Sequence, residues 1–358
     1  MAIDIFHASK SVIANGLEGK VILIYGGNNL GKSVQATRFP KPFVIACEMG
    51  LNGINGVPYL PVTRWSDFKT IVQQFTGSTK DKAKEMYSTI IVDEVYASSI
   101  YCQDYVCSIY GDGALTMADG DSKHNLYQLY EKEYFRQINL LVSAGYTVVF
   151  IAHEQVDSQT KYITPKGDKR CMNPIIDKCD YVVYLKSNGV DSKGNVIKSS
   201  GFLAQTKEFF ARARIEYTPT FLPEFTAENL AAAIQEGIDK KRELENATVT
   251  SFSEQQKLNT VEQLDFNEIM NNFKNLISSI PGNNDATFLT KEGQKFKNYY
   301  APKITQITEK YLGKGKKVFQ CNENQVEALF LIVAELTEFL KEEKEKEEKE
   351  EKETKEEA

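Results

Sequence analysis

Five short apolar runs punctuate the first part of this chain: Val21–Tyr25, Phe43–Cys47, Thr89–Asp93, Tyr146–Ala152 and Tyr181–Lys186. They are nearly continuous rather than alternating, which predicts strands buried on both faces, as in a parallel sheet. Between them, helix-compatible stretches fall near 66–76, 95–110 and 122–144, the last ending at Gly145, a suitable C-cap. Strand and helix alternate in this way to about Pro223, so the expected fold class is α/β with a mostly parallel central sheet. Residues 1–20 read as a lead-in closing on the turn Asn15-Gly16, and Tyr110–Asn125, rich in Gly and Asp, reads as a mobile loop. Beyond Lys186 the pattern changes: Ser187–Gly194 is turn-rich, and its flanks read as a hairpin.

The second half has helical spacing. Thr226–Asn246 reads as a helix with Thr226 at its N-cap, and Ala247–Lys257 as a polar linker. Phe266, Ile269, Phe273 and Ile277, then Val326, Leu329, Ile332, Leu336 and Leu340, mark two helices whose stripes face a core, and Met270 and Leu276 fit the first of them. From Lys341 the chain is Glu/Lys low complexity, either an extension of the last helix or disordered. The implied organisation is a core over 1–225, a helix and linker over 226–258, a helical accessory region over 259–340 and a charged tail over 341–358.

Composition narrows the classes. The 358 residues and 42% hydrophobic content support one large domain or two smaller ones. A formal charge of -6 does not by itself suggest nucleic acid, although local basic loops can bind it. The six cysteines match no zinc spacing and suit free thiols in a reducing cytosol. No apolar h-region opens the chain and no run approaches the roughly 18 residues of a span, so a cytoplasmic location without membrane contact is expected.

The chemistry concentrates at the ends of the apolar runs. Gly26-Gly27-Asn28-Asn29-Leu30-Gly31-Lys32-Ser33-Val34 follows the first strand and matches the phosphate-binding P-loop, with a helix-compatible Ser33–Phe39 behind it. Backbone N–H groups there wrap a phosphate, Lys32 adds a cation, and the Ser33 hydroxyl suits Mg2+. This predicts ATP and Mg2+ as ligands. Asp93 closes an apolar strand, where a carboxylate reaches the metal's water shell, although many core strands simply end in acids. Glu48 ends the second strand and can take a proton from attacking water; Glu94 competes for that role. His153 ends the fourth strand and is placed either to donate to the terminal phosphate or as a plain polar cap. Residues 156–174 carry Lys161, Lys166, Lys169 and Arg170 with Tyr162, and read as either a nucleic-acid loop or a solvated one. Lys207, Arg212 and Arg214 lie along a strand-like segment, with Arg212 and Arg214 on one face. They suit arginine fingers acting on a neighbour's phosphates, or surface ion pairs.

The order of these features resembles the RecA-type recombinase ATPase core, and within it the compact phage-encoded group described as AAA-family ATPases or Sak-type single-strand annealing recombinases. The resemblance covers about residues 18–225. It implies a RecA-like fold with Glu48 as catalytic base and His153 as γ-phosphate sensor on a strand between the P-loop and Asp93 strands. It implies DNA binding by the loop after His153, and Lys207, Arg212 or Arg214 acting across a subunit interface. A homo-oligomer with ATP between subunits, single-stranded DNA, a single-strand-binding or replication protein partner, and the host cytoplasm follow as expectations. Glu94 directly after Asp93 departs from the pattern and leaves the choice of base open. The function so implied is an ATP- and Mg-dependent DNA-binding ATPase in phage-type recombination or annealing. The alternatives are a helicase-loader or helicase-like replication ATPase, a nucleotide-gated binding module with little hydrolysis, and a small-molecule kinase.

Overall fold

The computed structural model describes residues 8–119, 125–259, 264–285 and 287–356. These fall into two compact units that divide near residue 260.

The first unit opens with β1 (Ile13–Ala14), β2 (Val21–Gly26), α1 (Lys32–Ala36), β3 (Pro42–Ala46), β4 (Tyr59–Pro61), α2 (Trp65–Thr76), α3 (Lys80–Met86) and β5 (Thr89–Asp93). It continues with α4 (Val95–Tyr110), α5 (Leu126–Ser143), β6 (Thr147–Val156), β7 (Ile163–Pro165), α6 (Lys169–Lys178) and β8 (Tyr181–Lys186). It closes with β9 (Ser200–Phe202), β10 (Arg212–Ala213), β11 (Phe221–Leu222), α7 (Ala227–Glu245), β12 (Val249–Thr250) and α8 (Phe252–Asn259). The expected helix from 122 begins at Leu126, capped by the Asn125 side chain; residues 122–124 lie outside the described residues.

The main sheet runs β11-β9-β8-β2-β6-β5-β3-β4, with β7 added to β6 and β10 to β8. From β8 to β4 every pairing is parallel. Alternate residues of each strand serve different layers. Leu23, Tyr25, Ile45, Val92 and Phe150 pack under α2, α4, α5 and α6. Ile22, Ile24, Val44, Ile91 and Ile151 pack against Ala36 of α1 and Leu230, Ile234 and Ile238 of α7. Helices therefore cover both faces, and burying each such side chain is worth about 1.5–3 kcal/mol. Five cysteines are buried and Cys321 is partly exposed. Among the described residues no helix is long and apolar enough to cross a membrane.

Three segments differ from their reading in the sequence. The helix behind the P-loop ends at Ala36 rather than Phe39, because Pro40 and Pro42 draw the chain into β3. The segment after His153 is not a long loop. β6 runs on to Val156, turns, and returns as β7, and Asp168 then caps α6, whose Cys171, Met172 and Ile175 are buried. The stretch 247–257 carries β12, which pairs parallel with β1, and the start of α8.

The second unit is helical: α9 (Phe266–Ser279), α10 (Lys291–Lys295), α11 (Ala301–Leu312) and α12 (Val326–Glu356). Ile269, Phe273, Ile307, Leu329, Ile332 and Leu336 form its own core. The Glu/Lys run continues α12 to Glu356. One contact that holds it is Lys295 of α10, which bonds Glu347 at 2.5 Å.

Candidate functional site

Parallel pairing brings the strand ends together. Gly26 lies opposite His153, Ile151 opposite Asp93, and Asp93 opposite Ala46. The loops leaving β2, β3, β5 and β6 therefore meet at one sheet edge, the edge where open α/β sheets bind ligands. A cleft of about 410 Å3 opens there, lined by the P-loop from Asn28 to Val34 together with Glu48, Asp93 and His153.

The P-loop has the backbone its glycines permit. Gly31 takes φ 81°, and Gly26 takes φ 153° so close to β8 that a Cβ would sit 2.6 Å from the Leu185 carbonyl oxygen. Lys32 folds back into the loop, donating to the Gly27 oxygen at 2.6 Å and the Gly26 oxygen at 3.1 Å. Burial lowers its pKa, opposed by the charges of Asp93, Glu154, Glu94 and Glu48. The loop is tethered from outside, since Ser199 donates to the Leu30 oxygen at 3.1 Å and Gln35 accepts from the Ala227 amide at 3.0 Å.

Asp93 is buried, which raises its carboxyl above the usual range, while a hydrogen bond from Ser33 pulls the other way. A buried carboxylate joined to a hydroxyl at the foot of a phosphate loop is a donor set that suits a hard divalent cation, so these residues fit Mg2+.

The three remaining groups form a tight cluster. Single ligand atoms of Glu48, Glu94 and His153 all lie within 4.8 Å of one another. Glu48 and His153 approach to 3.7 Å, and their side chains are 42% and 31% exposed. Glu94 is different. It is 1% exposed, and its carboxylate caps α4 by accepting from the amides of Tyr96 and Ala97 at 3.3 Å. Burial, then the Glu48 charge, raises its pKa to about 7.

The other sequence-predicted residues lie elsewhere. Lys161 sits exposed in the β6–β7 turn. The Lys166 amide donates to the His153 carbonyl at 2.8 Å, and its ammonium lies 4.4 Å from the Tyr96 ring centre. Lys169 and Arg170 open α6, with Arg170 over the Tyr127 ring. Lys207 is exposed in the turn before Phe209. Arg212 and Arg214 do share a face: both donate to the Cys179 oxygen, at 2.8 Å and 3.2 Å. They lie level with the start of β2, at the sheet edge opposite the P-loop.

Glu154 went unmarked in the sequence. Its carboxylate oxygen lies 3.6 Å from where a Cβ on Gly27 would stand, and its charge acts on Lys32. Its position next to His153 at a strand end was the available signal.

This combination of parallel sheet, lysine-bearing phosphate loop and a buried acid at the end of β5, two strands away, defines a P-loop nucleotide-binding domain. Residues 18–215 match the family described as AAA domain, and the chain belongs to that family, which is of P-loop ATPase type. The chain is also 46% identical over 342 residues to the SPbeta prophage-derived uncharacterized protein YorG of Bacillus subtilis (strain 168), a match covering 96% of this chain and 100% of that protein.

Proposed function

We propose that this protein is an ATP- and Mg-dependent, DNA-binding ATPase of RecA-like type, acting in phage DNA recombination or single-strand annealing. The observation that carries this reading is the course of β6. One strand brings His153 to 3.7 Å from Glu48 and continues into the hairpin bearing Lys161 and Lys166. A change at the terminal phosphate is thereby joined through backbone to a hairpin that carries Lys161 and Lys166.

In this reading Lys32 leaves the Gly26 and Gly27 oxygens for the β- and γ-phosphates. Ser33 and Asp93 would hold Mg2+, which supplies charge neutralisation on the phosphates when bound. Glu48, open to the cleft, orients water and takes its proton as oxygen bonds to the γ-phosphorus and the bond to ADP breaks. Glu94, committed to the α4 amides, holds the floor beneath Glu48. His153 donates to the γ-phosphate and loses that partner when phosphate leaves. Arg212 and Arg214 bond the Cys179 carbonyl, and Arg214 also pairs with Asp180 at 3.1 Å; in this reading they would act on the nucleotide of a neighbouring copy, with ATP between subunits of a homo-oligomer.

The test is ATP hydrolysis with and without single-stranded DNA, wild type beside Lys32→Ala. DNA-stimulated turnover that falls by about 10^2–10^3 in the variant is expected. Turnover indifferent to DNA removes the DNA function and leaves the ATPase.

A further inference from the structure

The helical unit carries a surface that ATP chemistry does not use. From the last turn of α11 toward α12 the chain reads Lys310-Tyr311-Leu312-Gly313-Lys314-Gly315-Lys316-Lys317-Val318-Phe319, with no acid until Glu323. Gly313 and Gly315 take φ of 95° and 76°, and the loop they shape exposes Lys314, Lys316 and Lys317. Nearby acids are already engaged. Glu309 accepts the Gly315 amide at 2.8 Å, and Glu335 takes Lys310 at 2.6 Å and the Tyr311 hydroxyl at 2.5 Å. Among the described residues, Lys314, Lys316 and Lys317 form no ion pair.

Beside these free cations stands an exposed ring. Val318 is buried and fixes the loop, whereas Phe319 is 76% exposed and meets Phe273 edge-on at 6.5 Å. Phe319 walls an apolar groove of about 340 Å3 with Phe273, Ile277, Phe296 and Ile304, and Lys274 stands at its rim. An acidic peptide would satisfy the lysines without needing a flat ring. A duplex would satisfy them but hides its base faces. A single strand offers both a charged backbone and open bases.

We propose that Lys314, Lys316, Lys317 and Phe319 form a single-stranded DNA-binding surface on the helical unit, with backbone phosphates on the lysines and a base stacked on Phe319 at the groove. The choice of DNA over RNA rests on the ATPase reading above; the surface itself does not involve the β6–β7 hairpin.

The experiment is fluorescence anisotropy of the full chain with labelled oligothymidylate of about 30 nucleotides across a salt series. The expected results are two. Lys314→Ala/Lys316→Ala/Lys317→Ala weakens binding and flattens the salt slope by roughly 2. Phe319→Ala weakens binding about tenfold with the slope kept, and Phe319→Trp restores it. Circular dichroism melts matching wild type exclude misfolding, and the tryptophan variant covers the case where they do not match. Wild-type affinity and slope in the triple variant and in Phe319→Ala overturns the proposal. So does tighter binding of oligouridylate, or equal competition by polyglutamate. A Lys161→Ala/Lys166→Ala variant separates the two surfaces: loss of DNA-stimulated hydrolysis tests the hairpin, whereas loss of binding in the lysine-loop variants tests this one.

Discussion

Glu48 and Glu94 reach the same cluster from unlike surroundings, one open to the cleft and one sealed under α4. Exchange of the two should therefore read differently. Glu48→Gln is expected to lower ATP turnover by about 10^2–10^4 with nucleotide affinity kept, and Glu94→Gln by far less; single-turnover assays with a nucleotide-binding control check this. Glu94 should instead govern stability. Its folded pKa is raised from 4.5 to about 7, so across that window the folded chain keeps a proton that the unfolded chain has released. The contribution is complete below the window and is lost as pH rises through it, by at most about 3 kcal/mol. Denaturation midpoints between those pH values should fall in wild type and stay flatter in Glu94→Gln. At this scale the sequence was legible where a motif fixes its own geometry. Lys32, Ser33 and Asp93 could be placed because strand, loop and acid come in a set order. Glu154 could not, since its contact with the loop arises only when β6 lies beside β2.

At the scale of elements, continuous apolar runs gave away β2, β3, β5, β6 and β8, because strands covered on both faces carry no polar alternation to confuse with helix. Short pieces escaped. β7 is three residues long, α3 is Lys/Asp/Glu-rich with no buried side chain, and α6 hides its buried Cys171, Met172 and Ile175 among lysine, arginine and proline. What makes α6 a helix is its cap. Asp168 accepts the Arg170 amide at 2.7 Å and the Tyr130 hydroxyl at 3.1 Å, tying the helix start to α5. Asp168→Ala should cost about 1–2 kcal/mol in urea denaturation, with Asp168→Asn recovering most of it.

For the whole molecule, two cores share no residue: the sheet layers draw on residues up to Val249, and the helical unit on Phe266 to Leu340. Unfolding should therefore proceed in two transitions. The chain has one tryptophan, Trp65, stacked on Phe68 at 4.7 Å in the first unit. Its fluorescence should report one transition while far-ultraviolet circular dichroism reports both; coincident curves from the two probes would contradict separate cores. The division into units was foreshadowed by the change from strand to helical spacing. That helix α7 belongs with the sheet was not, because its buried Leu230, Ile234 and Ile238 look the same in sequence whichever core receives them.

The thiols divide in the same manner. Five lie sealed within the sheet unit, and Cys321, partly exposed, follows Phe319 closely in the helical one. The folded chain thus offers a maleimide dye one address, set beside the proposed DNA surface, while the other five cysteines become reactive only as the sheet opens. A dye there reports strand arrival without any engineered change, and the later uptake of label times the sheet's unfolding in the same tube.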